Sequence, residues 1–159
     1  MGAKYMRCVK SSICILAAPF VIASMTCAAN AQTPSPSSQV SPSPTEFVEI
    51  AILIARALDL GQAGQIWDNA SPVMKTIVSR DQFANVAQQR RATRGALSDL
   101  TWRSVIRVQM QQPQGQLPAG NYLTVNIVGI NQDGRPIVET VSFMLDDDQN
   151  WRLIGISQE

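Results

Sequence analysis

The chain has 159 residues, with 13 basic residues, 12 acidic residues and no histidine, and its formal net charge is +1. A hydrophobic content of 45% is typical of a globular protein. The balanced charge excludes a nucleic-acid-binding protein of the strongly basic kind, and the lack of histidine removes the commonest metal ligand and general base.

The first 31 residues have the three parts of a secretory signal peptide. Three basic residues precede an uncharged stretch from 11 to 31, which ends in the small-residue site Ala29-Asn30-Ala31. We predict a cleavable signal peptide over residues 1–31, a periplasmic or secreted protein, and no integral membrane segment after cleavage. Two alternatives stay open. The stretch is long enough to act as a retained anchor, and Cys27 could carry a lipid.

Cleavage after Ala31 removes every cysteine in the chain, namely Cys8, Cys14 and Cys27. The mature chain then has ten basic and twelve acidic residues, a net charge of −2, with neither Cys nor His. This composition excludes thiol chemistry, histidine-based triads and the usual zinc sites. We therefore expect no cofactor, no metal and no nucleic-acid partner.

The mature chain begins with a Pro/Ser-rich linker over residues 32–45, which has little to bury. Residues 46–159 are predicted to form a single domain. The motif Ser43-Pro44-Thr45-Glu46 combines a capping box with a proline at the first helical position, and predicts a helix over 47–58. This helix is apolar nearly all round, so we expect a curved sheet to cover it. Further helices are predicted at 63–68, at 72–78, and from a capping box at 79–82 to Gly95.

From residue 100 the pattern changes to alternating apolar and polar residues, which is typical of strands. The predicted strands are 100–111, 121–130, 137–145 and 150–157. Turns as short as Asp133-Gly134 join neighbouring antiparallel strands. The sequence therefore predicts an α+β fold, with N-terminal helices packed in a curved four-stranded antiparallel sheet.

Several short segments also carry a family resemblance. They are Asp59-Leu60-Gly61 with Trp67, Arg94-Gly95, the stretch 117–122, Glu139-Thr140-Val141 and the stretch 151–155. In this order and spacing the chain resembles bacterial domain-of-unknown-function family 4019 over about 47–155, although Ile156 stands where that family tends to place an aromatic. The resemblance implies an exported protein with a cystatin-like or nuclear-transport-factor-2-like cone fold, and it implies no established reaction.

One carboxylate could support catalysis inside such a cone. By alternation Glu139 points into the interior, where burial would raise its pKa toward that of a useful base. Tyr122 could donate a hydrogen bond to a developing oxyanion. The alternative is that Arg103 or Arg107, on an earlier strand, pairs with Glu139 in an inert salt bridge. An isomerase or dehydratase-like enzyme without a cofactor is therefore the second hypothesis.

Two charged clusters have both a functional and a structural interpretation. Arg90, Arg91 and Arg94 could bind an anion, but positive charge in a last helical turn also complements the helix dipole. The run 146–148 of three aspartates suggests calcium, yet it lacks the ligand spacing of a calcium loop, which favours a solvated turn. Asp59, at the end of the first long helix, is interpreted as a turn or capping residue.

The aromatic residues could line an apolar cavity or fill the core. The ligand-pocket candidates are Trp67, Trp102, Tyr122, Glu139 and Trp151. Strict alternation puts Trp102 on the same face of its strand as Ile106. We predict an exported, non-catalytic module of the cell envelope that binds a small molecule or an envelope protein, and a homodimer formed through the sheet is compatible with this.

Overall fold

The computed structural model describes residues 42–158, and these form four helices followed by four strands, which confirms the α+β class. The helices are α1 Pro44–Asp59, α2 Ala63–Asp68, α3 Pro72–Ile77 and α4 Arg80–Arg94, and the strands are β1 Ser98–Met110, β2 Gly120–Ile130, β3 Pro136–Leu145 and β4 Trp151–Gln158. The predicted signal peptide and most of the predicted linker lie outside the described residues. Between residues 42 and 158, no helix has both the length and the apolar character needed to cross a bilayer.

The long helices begin at the predicted capping boxes. At α1 the Ser43 hydroxyl accepts from the Glu46 amide, and the Glu46 carboxylate accepts from the Ser43 amide. Ser79 and Gln82 make the same reciprocal pair at α4. Because α1 begins at Pro44, the folded domain includes the last residues of the predicted linker. α4 ends at Gly95, whose φ of +75° is strained for residues other than glycine.

The strands form an antiparallel sheet in the order β1-β2-β3-β4, as the short turns predict. The pairing of β2 with β3 is regular from Tyr122 opposite Met144 to Ile130 opposite Pro136. Alternate residues of these strands therefore face opposite sides of the sheet. Val125 and Ile127, on the side covered by the helices, are fully buried.

β1 does not follow strict alternation. Its pairing with β2 shifts between Trp102 and Ser104, so Trp102 lies opposite Ile127 whereas Ser104 lies opposite Asn126. An extra residue of this kind, a β-bulge, reverses which side chains face the core. The prediction that Trp102 shares a face with Ile106 was wrong for this reason.

The sheet covers only one face of α1. The buried residues Phe47, Ala51, Ala55 and Leu58 form that face. The Phe47 ring packs against Phe143, with centroids 5.4 Å apart, and meets the edge of Trp151 at 5.2 Å. On the adjoining side of α1, Ile50 and Leu53 stay largely outside this core, being 41% and 62% exposed. The cone shape implied by the resemblance stays a prediction.

The side of the sheet that faces away from α1 has a polar centre. Asn126 donates to the Ser104 hydroxyl at 2.8 Å and accepts from the Thr140 hydroxyl at 2.7 Å. The hydroxyls of Thr124 and Ser142 are hydrogen-bonded at 3.2 Å. These cross-strand bonds satisfy the polar groups at the centre of this side. The exposed aliphatic residues Ile106 and Val108 lie beside them on the edge strand β1.

Candidate functional site

The predicted interior carboxylate belongs to a buried ion cluster at the end of α4. Arg94 Nη2 lies 2.6 Å from Glu139 Oε1, and Arg94 Nη1 lies 3.0 Å from Asp59 Oδ1. The second Asp59 oxygen accepts from the Leu97 amide at 2.9 Å. Glu139 is 1% exposed and Arg94 is 6% exposed. The cluster therefore joins α1, α4 and β3 through one guanidinium group.

The partner of Glu139 differs from the prediction. Arg103 and Arg107 lie on exposed positions of β1, and Arg107 donates instead to the Pro42 carbonyl at 3.1 Å. β2 separates β1 from β3, so these arginines are two strands away from Glu139. Arg94 reaches Glu139 because α4 packs over the same side of the sheet. Asp59, interpreted as a capping residue, is likewise a buried member of the cluster.

Burial is the main electrostatic influence on Glu139. Desolvation raises the pKa of Glu139 above its ordinary value of 4.5, and the Asp59 charge acts in the same direction. The charges of Arg94 and Arg90 and the hydrogen bond from Arg94 oppose this rise in pKa but do not cancel it. No donor among residues 42–158 reaches Glu139 Oε2. The cluster thus holds a carboxyl group with a raised affinity for a proton.

The space beside Glu139 is small. A cavity of about 50 Å³ lies against Glu139 and Arg94, and its wall includes Phe83, Arg90 and Ile156. One water molecule occupies roughly 30 Å³ of liquid volume, so this cavity has room for solvent but not for an organic substrate. Chemistry at Glu139 would require the helices to move apart.

Tyr122, the predicted oxyanion donor, lies on the other side of the sheet. Glu139 is opposite Ile127 on β2, and Tyr122 is an odd number of residues away along the same regular strand. The Tyr122 hydroxyl donates to the Pro118 carbonyl at 2.7 Å, and burial raises the pKa of Tyr122. The structure therefore does not bring Glu139 and Tyr122 together in one site.

The three tryptophans occupy different places. Trp67 Nε1 donates to the Val78 carbonyl at 2.9 Å, and Trp151 packs against the core ring of Phe47. Trp102 is 60% exposed and borders a shallow groove with Val48 at the start of α1. The candidate aromatic residues thus do not form a common cavity, and Trp151 is the one that lines the apolar groove described below.

The predicted charged clusters also separate into individual contacts. Arg90 donates to the Ile156 carbonyl at 3.3 Å and Arg91 is exposed, while Arg94 is in the ion cluster. In the aspartate run, Asp146 accepts from the Ser71 hydroxyl at 2.6 Å. Arg152 pairs with Asp146 at 2.8 Å and with Asp148 at 2.6 Å. In the described part of the chain, no group of three or more carboxylates is arranged to hold a metal ion.

Beside its buried face, α1 carries an apolar stripe that is only partly covered, since Ile54 packs against the core whereas Ile50 and Leu53 are more exposed. Ile50, Leu53, Ile54 and Ala57 follow the i, i+3, i+4, i+7 spacing of one helix face. Leu53 is 62% exposed and Ile50 is 41% exposed. We call these four residues the α1 patch. A helix that is apolar on two faces needs a second covering surface.

An apolar groove of about 340 Å³ continues from the α1 patch toward α2 and β4. Ile66, Trp151 and Leu153 form its apolar wall, together with Ile50 and Ile54 of the patch. Its polar lining consists of Gln62, Gln65, Asn69 and Arg152. Apolar walls with a few polar groups are typical of binding sites. The patch and the groove therefore form the candidate functional site.

Sequence reasoning located the apolar character of α1 but assigned it entirely to the sheet. The signal was present, because α1 has few charged residues: Glu46, Glu49 and Arg56. A single sheet can cover only part of a helix circumference, so a helix apolar on both sides predicts a second contact surface.

A family model described as "Protein of unknown function (DUF4019)" matches residues 51–156. The chain belongs to this family. The match confirms the predicted resemblance, and it spans most of α1, all of α4 and the sheet into β4. All three members of the ion cluster therefore lie within the DUF4019 match. No curated protein and no solved structure matches the chain.

Proposed function

We propose that this DUF4019 protein is an exported, non-catalytic interaction module of the cell envelope, periplasmic or secreted, that binds a partner protein through the α1 patch. The observation that carries the proposal is the exposure of Leu53 and Ile50 on a regular helix face. Contiguous exposed apolar surface is characteristic of interaction sites in soluble domains. The secretory features of residues 1–31 support export.

The interior offers little support for catalysis. Glu139 is paired with Arg94 beside a cavity of about 50 Å³, and Tyr122 lies on the other side of the sheet. An enzyme of this type needs a base and an oxyanion donor that converge on one substrate. A raised pKa is also common in structural ion networks, so the raised pKa of Glu139 does not favour catalysis over a structural role.

The chemistry of the site favours a helical protein surface as the occupant. The α1 patch provides aliphatic contacts along two helical turns, and the adjoining groove can receive an aliphatic side chain between Ile54 and Ile66. Helix faces bind through anchors at i, i+3, i+4 and i+7. The amides of Gln62 and Gln65 at the rim can then hydrogen-bond to the polar edge of a partner.

Native mass spectrometry of the protein purified from a periplasmic extract tests this proposal. We expect a mature chain that begins at Gln32 and retains a protein partner, with no bound small molecule. In Leu53→Glu the partner mass should be lost, because a carboxylate in the patch cannot be desolvated cheaply. The variant should fold, since Leu53 is exposed and glutamate is a good helix former.

Ile106→Glu is the matched control, because Ile106 is an exposed aliphatic residue on β1, away from the patch. It should retain the partner mass. A small molecule released on denaturation would contradict the proposal and assign the groove to ligand binding. If neither the native protein nor Leu53→Glu carried any partner mass, binding at the patch would be contradicted.

A further inference from the structure

The α1 patch is complementary to itself in an antiparallel arrangement. The inference drawn from this complementarity rests on the proposed function, in which the patch is a binding surface. When two α1 helices cross in opposite directions around their midpoint, Leu53 of one copy meets Ile54 of the other. Ile50 then meets Ala57. All four residues of the patch are covered by the same four residues of the second copy, which is the requirement for a two-fold interface.

The charged residues beside the patch fit this arrangement. Glu49 and Arg56 lie seven residues apart, close to the same flank of α1, and neither forms an ion pair within residues 42–158. In an antiparallel pair of helices the same flank of the two copies comes together. With Leu53 opposite Ile54, Glu49 of one copy and Arg56 of the other lie two residues, about 3 Å, apart along the helix axis, which these long side chains can span. In a parallel pair this flank of one copy would face the opposite flank of the other, so Glu49 and Arg56 would not meet. The charge pattern therefore fits a second copy bound in the antiparallel direction.

We infer that the occupant of the α1 patch is a second copy of this chain, bound antiparallel through α1 with two symmetric Glu49–Arg56 ion pairs. Leu53 of each copy provides an aliphatic anchor next to the apolar groove of the other. The polar centre of the uncovered sheet side argues against the sheet as the dimer surface. This differs from the homodimer through the sheet that the sequence analysis considered.

Charge reversal tests this arrangement in the mature full-length chain by sedimentation velocity over a concentration series. Glu49→Arg places two arginines at each ion pair, and Arg56→Glu places two glutamates there. We expect each variant alone to dimerise about tenfold more weakly, because two attractive pairs become two repulsive ones. An equimolar mixture should regain the affinity of the native protein, since arginine in one variant then faces glutamate in the other.

Two controls have the same charge changes at exposed positions far from α1 in sequence. Asp147→Arg and Arg135→Glu should leave the dimer affinity unchanged. Circular dichroism of each variant establishes that the helices are intact. Weakening by the α1 variants without recovery in the mixture would overturn the antiparallel pairing, since a general loss of stability is not reversed by mixing.

The inference and the proposed function can fail separately. A native protein that is monomeric at high concentration, yet carries a different protein that is lost in Leu53→Glu, overturns the second copy as occupant and leaves the proposed function intact. A native protein that is monomeric and carries no partner overturns both. A dimer that persists unchanged in Leu53→Glu overturns the second copy as occupant of the patch, because its interface lies elsewhere.

Discussion

Arg94 is the central residue of the buried ion cluster, because its guanidinium group neutralises two buried carboxylates. Its two terminal nitrogens bind Asp59 and Glu139 separately. Guanidinium is suited to this role, since it stays charged and presents donors in a rigid plane. Buried ion pairs contribute little net stability, but removal of one partner leaves an uncompensated charge. We therefore regard the cluster as a structural connection between α1, α4 and β3.

The raised pKa of Glu139 predicts a dependence of stability on pH. The folded state holds this proton to a higher pH than the unfolded state, whose carboxyl group has the ordinary pKa of 4.5. The contribution to stability is complete below 4.5 and is lost as the pH rises through the raised pKa. In Glu139→Gln this loss is absent. The free energy of unfolding of the variant, relative to the native protein, should therefore increase over this pH window.

Urea unfolding at a series of pH values measures this difference. Asp147→Asn, which changes an exposed carboxylate in the turn between β3 and β4, is the control and should follow the native protein. If Glu139→Gln showed the same pH dependence as the native protein, Glu139 would not hold a proton more tightly when folded, and the electrostatic account of the cluster would be wrong.

The sequence predicted the burial of Glu139 but not its partner. Alternation along a regular strand sufficed to place Glu139 in the interior. The partner depends on how α4 lies across the sheet, and local patterns do not encode that packing. Arg94 resembled an ordinary basic residue in a last helical turn, and its burial follows from tertiary contacts with α1 and β3.

Among the secondary-structure elements, the short helix α3 is fixed by one hydroxyl group with two functions. Ser71 caps α3 by accepting from the Val73 amide at 3.2 Å, and it donates to Asp146 at 2.6 Å. The Ser71 amide also donates to the Leu153 carbonyl of β4 at 2.9 Å. Ser71 thereby connects α3 to the β3–β4 end of the sheet.

Replacement of the two capping serines should have unequal effects. Ser79→Ala removes a helix cap alone and should lower the free energy of unfolding by about 1 kcal/mol. Ser71→Ala also leaves a buried carboxylate oxygen of Asp146 without its donor, which costs roughly 1–3 kcal/mol more. Chemical denaturation of both variants checks the difference. Equal losses would show that the Ser71–Asp146 bond contributes nothing measurable.

Element boundaries could be predicted where local chemistry decides them. The capping boxes placed the starts of α1 and α4, and the positive φ of Gly95 ends α4 as expected. The bulge between Trp102 and Ser104 could not be predicted, because an extra residue in a strand has no distinct sequence signal there. This bulge alone explains why the predicted face of Trp102 was wrong.

For the whole molecule, the uneven covering of α1 is the main consequence of the fold. Four strands and three shorter helices follow α1, but the sheet reaches only its Phe47–Leu58 face. The adjoining face keeps the aliphatic residues Ile50 and Leu53 in contact with solvent, and an exposed apolar stripe of this kind favours association. The proposed function therefore rests on the partly uncovered apolar surface of α1 and not on a set of catalytic residues.

Site-specific photo-crosslinking in cells that express the full chain determines whether the α1 patch contacts another protein. A photo-reactive amino acid is placed at position 53 in the α1 patch, or at position 106 on β1 as a control. We expect a discrete covalent protein adduct from position 53 and little from position 106, and an adduct of twice the monomer mass would identify a second copy. Adducts from position 106 alone, or none from position 53, would contradict the assignment of the patch as the binding surface.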